Sequence, residues 1–253
     1  MHLTILGSGT LVPSLRRQPS GYLLSAGKHR ILIDCGSGTM RRLLQVGTHV
    51  DDIDLILISH VHIDHVSELP LFLFAARYSP EPRQRPLRVL GSSDTLEFIA
   101  GLEKLHGDSI AAATYERRLE RIDKGGEVRV GDVRLRAGAV VHALSSLAFR
   151  IEHAETSLVY TGDTEYCESM VELARDCDLL LCECSFPDGA AVPGHLTPSL
   201  AGRIAREAGA RSLLLTHLYP PCDDVDVAAQ VRSVYDGDLK VGEDLLEVSV
   251  EGA

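Results

Sequence analysis

Leu55-Ile56-Leu57-Ile58-Ser59-His60-Val61-His62-Ile63-Asp64-His65 is an apolar run that ends abruptly in three imidazoles and a carboxylate. Four consecutive aliphatic residues suit a strand buried on both faces. The polar groups that close it are of the kinds that bind metals, and a site at the end of a rigid element is held in place in advance. His60 and His62, one residue apart, can face one ion. The Asp64-His65 pair, after the chain turns, can face a second. A solvated loop would have no reason to cap a buried strand with four ligand-type residues.

Each ion needs further ligands, and the later sequence repeats the pattern of an apolar run closed by a ligand. His142 follows Val140-Val141, Asp163 follows Leu158-Val159-Tyr160 closely, and His217 follows Leu213-Leu214-Leu215. A carboxylate has two oxygens, so Asp163 can bridge two cations. Imidazole nitrogen suits zinc, and a mixed nitrogen and oxygen set also accepts manganese or iron. The residues therefore point to a dinuclear centre holding two divalent ions, with zinc as the first expectation.

Outward from these positions, short apolar runs bounded by turn residues recur at 3–6, 22–24, 31–33, 55–58, 87–90, 128–130, 133–135, 147–151, 158–160, 179–181, 213–215 and 245–250. These are the expected strands. Helical patterns lie between them at 39–45, 67–76, 94–105, 169–174, 198–208 and 225–234. Many strands mixed with helices favour two sheets sandwiched between helices. The segment 79–86 holds three prolines and reads as a surface loop. Gly7-Ser8-Gly9-Thr10 lacks the third glycine of a dinucleotide fingerprint and the Gly-Lys-Ser/Thr ending of a P-loop, so it is read as a tight strand-to-loop turn.

A chain of 253 residues with 45% hydrophobic content fits one domain spanning 1–253. With 25 Lys+Arg against 36 Asp+Glu, a formal charge of -11, the surface as a whole repels polyanions, which disfavours nucleic acid as a partner. The first residues lack a basic segment followed by an apolar one, and no run reaches the length of a membrane span, so a cytoplasmic location without membrane attachment is expected. Cys35, Cys167, Cys177, Cys182, Cys184 and Cys222 lack the C-x-x-C spacing of a structural zinc site. Cys182 and Cys184 adjoin the apolar run 179–181 and are read as reduced core thiols, as are most of the others.

The series His60-x-His62-x-Asp64-His65, then His142, Asp163 and His217, resembles the ligand series of the metallo-β-lactamase superfamily over most of the chain. The resemblance implies an α/β fold, a four-layer αββα sandwich with two mixed sheets. It assigns His60, His62 and His142 to the first metal and Asp64, His65 and His217 to the second, with Asp163 bridging. Asp34, in Leu32-Ile33-Asp34-Cys35-Gly36, matches a motif whose aspartate supports the metal loop from behind.

Within the superfamily the chain is most similar to the ribonuclease Z branch and its small phosphodiesterase relatives. Leu6-Gly7-Ser8-Gly9-Thr10 and Asp34-Cys35-Gly36-Ser37-Gly38-Thr39 carry the likeness, with Leu181-Cys182-Glu183-Cys184-Ser185-Phe186 and Gly194-His195-Leu196-Thr197. Where that family has His-Glu-Ala-Thr and then His-x-Thr, Glu183 and His195 match its acid-histidine pair. Cys182, Cys184 and Ser185 depart from it. The pair is chemically sensible: the carboxylate orients one imidazole nitrogen and leaves the other to give up a proton. Asp64, Glu183 and His195 are thus the catalytic candidates, Asp64 by orienting water.

Two departures narrow the expectation. Enzymes of that branch that process transfer RNA carry a long arm between the third and fourth metal motifs, whereas here 21 positions (163 minus 142) separate His142 from Asp163. After His217 comes Leu218-Tyr219-Pro220-Pro221, without the Arg-Tyr ending of those enzymes. The expected activity is hydrolysis of a small phosphodiester such as a cyclic nucleotide or short oligonucleotide. A ribonuclease Z-type endonuclease comes second and a lactone or thioester hydrolase third. The resemblance also implies a homodimer that buries part of 75–86.

Overall fold

Period-two alternation along the strands sorts the apolar side chains into three layers, and this sorting builds the molecule. The computed structural model describes residues 1–252. In the first sheet lie β1 (His2–Gly7), β2 (Gly21–Ala26), β3 (His29–Ile33), β4 (Leu55–Leu57), β5 (Leu87–Gly91) and β6 (Arg117–Arg121). The second contains β7 (Glu127–Val130), β8 (Val133–Ala139), β9 (Leu147–His153), β10 (Thr156–Tyr160), β11 (Leu179–Glu183), β12 (Ser212–Thr216) and β13 (Asp238–Val241), and β14 (Glu247–Ser249) returns to the first. The orders are β14-β1-β2-β3-β4-β5-β6 and β13-β12-β11-β10-β9-β8-β7. Both sheets are mixed: β3 to β6 run parallel, as do β10 to β13, and the remaining neighbours are antiparallel.

Ile31, Ile33, Leu55, Leu57, Leu158, Tyr160, Leu179 and Leu181 point into the space between the sheets. Their neighbours Leu32 and Ile56 face the helices α1 (Thr39–Gln45), α3 (Leu69–Tyr78) and α4 (Ser93–His106). Val159, Leu180 and Cys182 face α5 (Glu168–Leu173), α6 (Pro198–Ala208) and α7 (Val227–Arg232) on the other side. The central strands are apolar on both faces because both faces are covered, giving the expected αββα sandwich. Cys182 and Cys184 are fully buried in the helix-facing layer and take no part in a metal site. Among the described residues no helix is long and apolar enough to cross a membrane.

Three details differ from the sequence reading. β6 and β13 are strands that no apolar run announces, because each is a sheet edge whose side chains, Arg-Arg-Leu-Glu-Arg and Asp-Leu-Lys-Val, largely face solvent. Asp64 and His65 sit in a separate helical turn, α2 (Ile63–Val66), ahead of α3. The proline-rich loop 79–86 is on the surface as expected, yet Arg83 turns inward and is wholly buried. Its guanidinium donates to the carbonyls of Arg85, Val50, Ile53 and Pro86 at 2.6–2.8 Å. Arg83 thus ties the loop to the segment that leads into β4. Arg83→Ala leaves those carbonyls without their donor, and we expect a loss of about 2–4 kcal/mol of stability, read as a lower urea midpoint. An unchanged midpoint would show that the anchor is dispensable.

Candidate metal centre

The ligand-type residues leave the C-terminal ends of strands in both sheets and meet at one edge of the sandwich. His60 follows β4, Asp163 follows β10 and His217 follows β12, while His142 lies in the loop after β8. α2 turns Asp64 and His65 back toward His60. Tight backbone geometry makes this possible. Asp34 and His217 both adopt the left-handed region, with φ 55° each, a strained conformation for residues with side chains and one that gathers at functional sites. A Cβ on Gly36 would lie 2.3 Å from the carbonyl oxygen of Asp64, so only glycine lets the end of β3 pack against the metal loop.

Two clusters of ligand-type atoms result, each with the donors to form a ligand shell. In the first, His62 Nδ1 lies 3.0 Å from both His60 Nε2 and His142 Nε2, and Asp163 Oδ2 is 3.6 Å and 3.7 Å from those two nitrogens. In the second, Asp163 Oδ1 lies 3.4 Å from His65 Nε2 and 3.5 Å from His217 Nε2, and Asp64 Oδ2 is 3.9 Å and 3.3 Å from the same nitrogens. A tetrahedral zinc with bonds of about 2.0–2.1 Å sets its ligands about 3.3–3.4 Å apart. The distances, 3.0–3.7 Å in the first cluster and 3.3–3.9 Å in the second, bracket that spacing, and Asp163 turns one oxygen toward each. The structure thus brings together His60, His62 and His142 around one oxygen of Asp163, and Asp64, His65 and His217 around the other.

Hydrogen bonds behind the ligands fix the imidazole tautomers. His65 Nδ1 donates to Asp34 Oδ2 at 2.8 Å, and His142 Nδ1 donates to the Gly194 carbonyl at 2.8 Å, since neither acceptor has a proton to give. The Ser59 hydroxyl donates to Asp34, so it accepts from His60 Nδ1 at 3.1 Å. The Ser185 hydroxyl donates to Glu183 at 2.5 Å and so accepts from His217 Nδ1 at 2.9 Å. All four rings therefore turn an Nε2 lone pair inward, the form a metal requires. Two inward atoms, His65 Nε2 and Asp163 Oδ1, are buried without any hydrogen-bond partner among the described residues. Buried polar atoms are seldom orphaned, and a cation would satisfy both.

Charges fit the same picture. Burial first, then the neighbouring His65, push His60 well below the usual imidazole range. Burial opposes charge on His65 too, yet Asp163 and Asp34 outweigh it and hold that ring well above the range. A cation held by Asp163 would take the place of the proton on His65.

Beside the second shell lies the acid-histidine pair. Glu183, at the end of β11, is fully buried and accepts from Thr164 N, Leu196 N, Ser185 Oγ and His195 Nδ1, the last at 3.1 Å. Burial lowers the His195 pKa, but the hydrogen bond and charge of Glu183 outweigh it, with a net upward shift. The His195 ring stacks on His217 with centroids 5.7 Å apart, and one of its nitrogens lies within 4.8 Å of ligand atoms from Asp163 and His217. Since Nδ1 is committed to Glu183, Nε2 is the free nitrogen. Ser185, which departs from the related family's threonine, is the linchpin: its hydroxyl touches Glu183, His195 and His217 together. The available signal was its place in the stretch, where serine keeps the hydroxyl that threonine supplies in the related family.

Comparison with known proteins shows the family. A family model described as a beta-lactamase superfamily domain matches residues 29–218, a span that holds all seven ligand-type residues from His60 to His217. The uncharacterized protein Rv1339 of Mycobacterium tuberculosis (strain ATCC 25618 / H37Rv) is 32% identical over 242 residues, which is 94% of this chain and 88% of that one. The probable metallo-hydrolase YhfI of Bacillus subtilis (strain 168) is 28% identical over 95% of this chain and 96% of its own. The crystal structure of YhfI, a metallo-beta-lactamase fold protein, superposes with a TM-score of 0.85 at 25% identity, covering 98% of each chain. A ribonuclease Z of Mycobacterium sp. (strain KMS) is 26% identical over 99% of this chain and 96% of its own.

Proposed function

The chain belongs to the metallo-β-lactamase superfamily, and on that premise we propose that this metallo-hydrolase is a zinc-dependent phosphodiesterase with two metals. Manganese or iron is an acceptable substitute at the mixed ligand set. The substrate we propose is a small phosphodiester such as a cyclic nucleotide or the end of a short oligonucleotide.

The reading rests on the Glu183–His195 hydrogen bond beside the second ligand shell. When bound, the ions supply Lewis acidity, making water nucleophilic near neutral pH and offsetting the charge that builds at phosphorus. Asp64 lies at the mouth of the second shell, where its carboxylate orients the attacking water. His195 gives a proton from Nε2 to the departing alkoxide, while Glu183, through Nδ1, holds the ring in position. An alkoxide needs that proton far more than a thiolate does, which favours a phosphodiester over a thioester.

A ribonuclease Z activity is the second reading, because a relative of that name aligns along nearly the whole chain. Against it, the chain between His142 and Asp163 forms only the hairpin of β9 and β10 and adjoining loops. The formal charge of -11 also works against gripping a folded RNA. We expect turnover of bis-(p-nitrophenyl) phosphate with zinc or manganese, and no efficient removal of a transfer RNA 3′ trailer at physiological salt. Site-specific trailer removal would promote the second reading. Inactivity on every phosphodiester together with lactone or thioester hydrolysis would end the first.

A further inference from the structure

Tyr219 and Phe186 belong to none of the three apolar layers that make up the core. Their rings nevertheless stack on each other, with centroids 4.5 Å apart and planes 23° from parallel. The pair stands against the metal centre: Tyr219 is 5.7 Å from the His217 ring and 6.0 Å from His195, and Phe186 is 5.9 Å from His195. Both residues are half-buried, so the stack stays partly open to solvent.

The backbone under the pair is pinned. Tyr219 precedes two prolines, which hold it extended at φ -75° and ψ 157°, and its N–H donates to the Ser185 carbonyl at 3.3 Å. The buried Arg17 clamps the following turn through Asp223 at 3.1 Å and also binds the Gly242 carbonyl. The Tyr219 hydroxyl has no hydrogen-bond partner among the described residues. A rigid, partly solvated aromatic stack that contributes nothing to the core, placed against His195 and His217, has the character of a binding element. Three apolar side chains near the centre are exposed as well: Ile63 beside His62, and Val141 and Leu144 around His142, whereas Val66, Leu196 and Leu218 are buried.

We propose that the Tyr219–Phe186 stack seats a planar nucleobase, so that the substrate is a nucleotide phosphodiester whose base lies on the rings while its phosphate reaches the Asp163–His217 end. This inference rests on the phosphodiesterase reading. The centroid distances put the stack about one sugar unit from the second ligand shell. Stacking is indifferent to base identity, because every base has a π face, so the seat selects for a base without selecting which one. It also works on an acidic protein, since it needs no cationic grip.

The test is calorimetric titration of the metal-loaded protein with adenosine 5′-monophosphate and with ribose 5-phosphate, which share the phosphate and differ by the base. The nucleotide is expected to bind about ten- to a hundredfold more tightly, the usual worth of one stacked base. Tyr219→Ala and Tyr219→Leu should erase that preference while keeping both metals and the affinity for ribose 5-phosphate, and Tyr219→Phe should retain it. Equal affinities in the native protein overturn the seat, as does a Tyr219→Leu protein that keeps the preference. So does a Tyr219→Ala protein that weakens both ligands alike. In parallel, the p-nitrophenyl ester of thymidine 5′-phosphate is compared with methyl p-nitrophenyl phosphate. Turnover of both with no advantage for the nucleotide overturns the seat and leaves the phosphodiesterase reading standing. A base preference in binding with no diester cleavage supports the seat and overturns the phosphodiesterase reading.

Discussion

Asp163→Ala is expected to empty both ligand shells at once, taking the protein from close to two divalent ions per chain to none and hydrolysis to background. The side chain is 3% exposed and lies between the shells, Oδ2 facing His60 and His142, Oδ1 facing His65 and His217. Among the described residues it is the one ligand-type side chain that faces both clusters. The first shell then retains three neutral imidazoles and no compensating charge, and the second retains a single carboxylate. His142→Ala removes a ligand from the first shell alone and should weaken chiefly one ion. Elemental analysis after reconstitution with zinc reads the difference, and circular dichroism checks that the fold survives. An Asp163→Ala protein that still binds two ions would refute the bridged centre.

His195→Ala should behave in the opposite way, keeping both ions while losing about 10²- to 10⁴-fold in rate, the usual contribution of general acid-base catalysis. The loss should grow as the leaving group becomes more basic, because p-nitrophenolate departs without a proton and an alkyl alkoxide does not. His195 is a better probe than Glu183. The buried Glu183 also accepts from Thr164 N, Leu196 N and Ser185 Oγ, so its removal disturbs the loops as well as the chemistry. Metal content is the informative control, since a His195 nitrogen is within 4.8 Å of ligand atoms from Asp163 and His217. A His195→Ala protein that loses an ion would make His195 a ligand. One that keeps full activity toward a poor leaving group would remove it from the mechanism.

Most of the architecture was legible because both sheets are covered on both faces. Buried strands then read as unbroken apolar runs, and helices such as Pro198–Ala208 carry their own start signals. The strands Arg117–Arg121 and Asp238–Val241 were not, because an edge strand needs few apolar residues and its pairing is supplied by a neighbour. Arg83 was read as part of a surface loop for a related reason. Its four acceptors are backbone carbonyls, which every residue has and no sequence pattern marks.

By itself the sequence determined which residue types close the buried strands, and so the candidate ligands His60, His62, Asp64, His65, His142, Asp163 and His217. Those features are local: an apolar run and the polar residue that ends it are neighbours in the chain. Tertiary structure alone decided which oxygen of Asp163 faces which shell and which nitrogen of each ring points inward. It also decided that Ser185 joins Glu183 to both His195 and His217, and that Tyr219 meets Phe186. Each of these depends on distances of a few ångströms between residues far apart along the chain. Such distances are set by how two sheets and their loops pack, which no local pattern records.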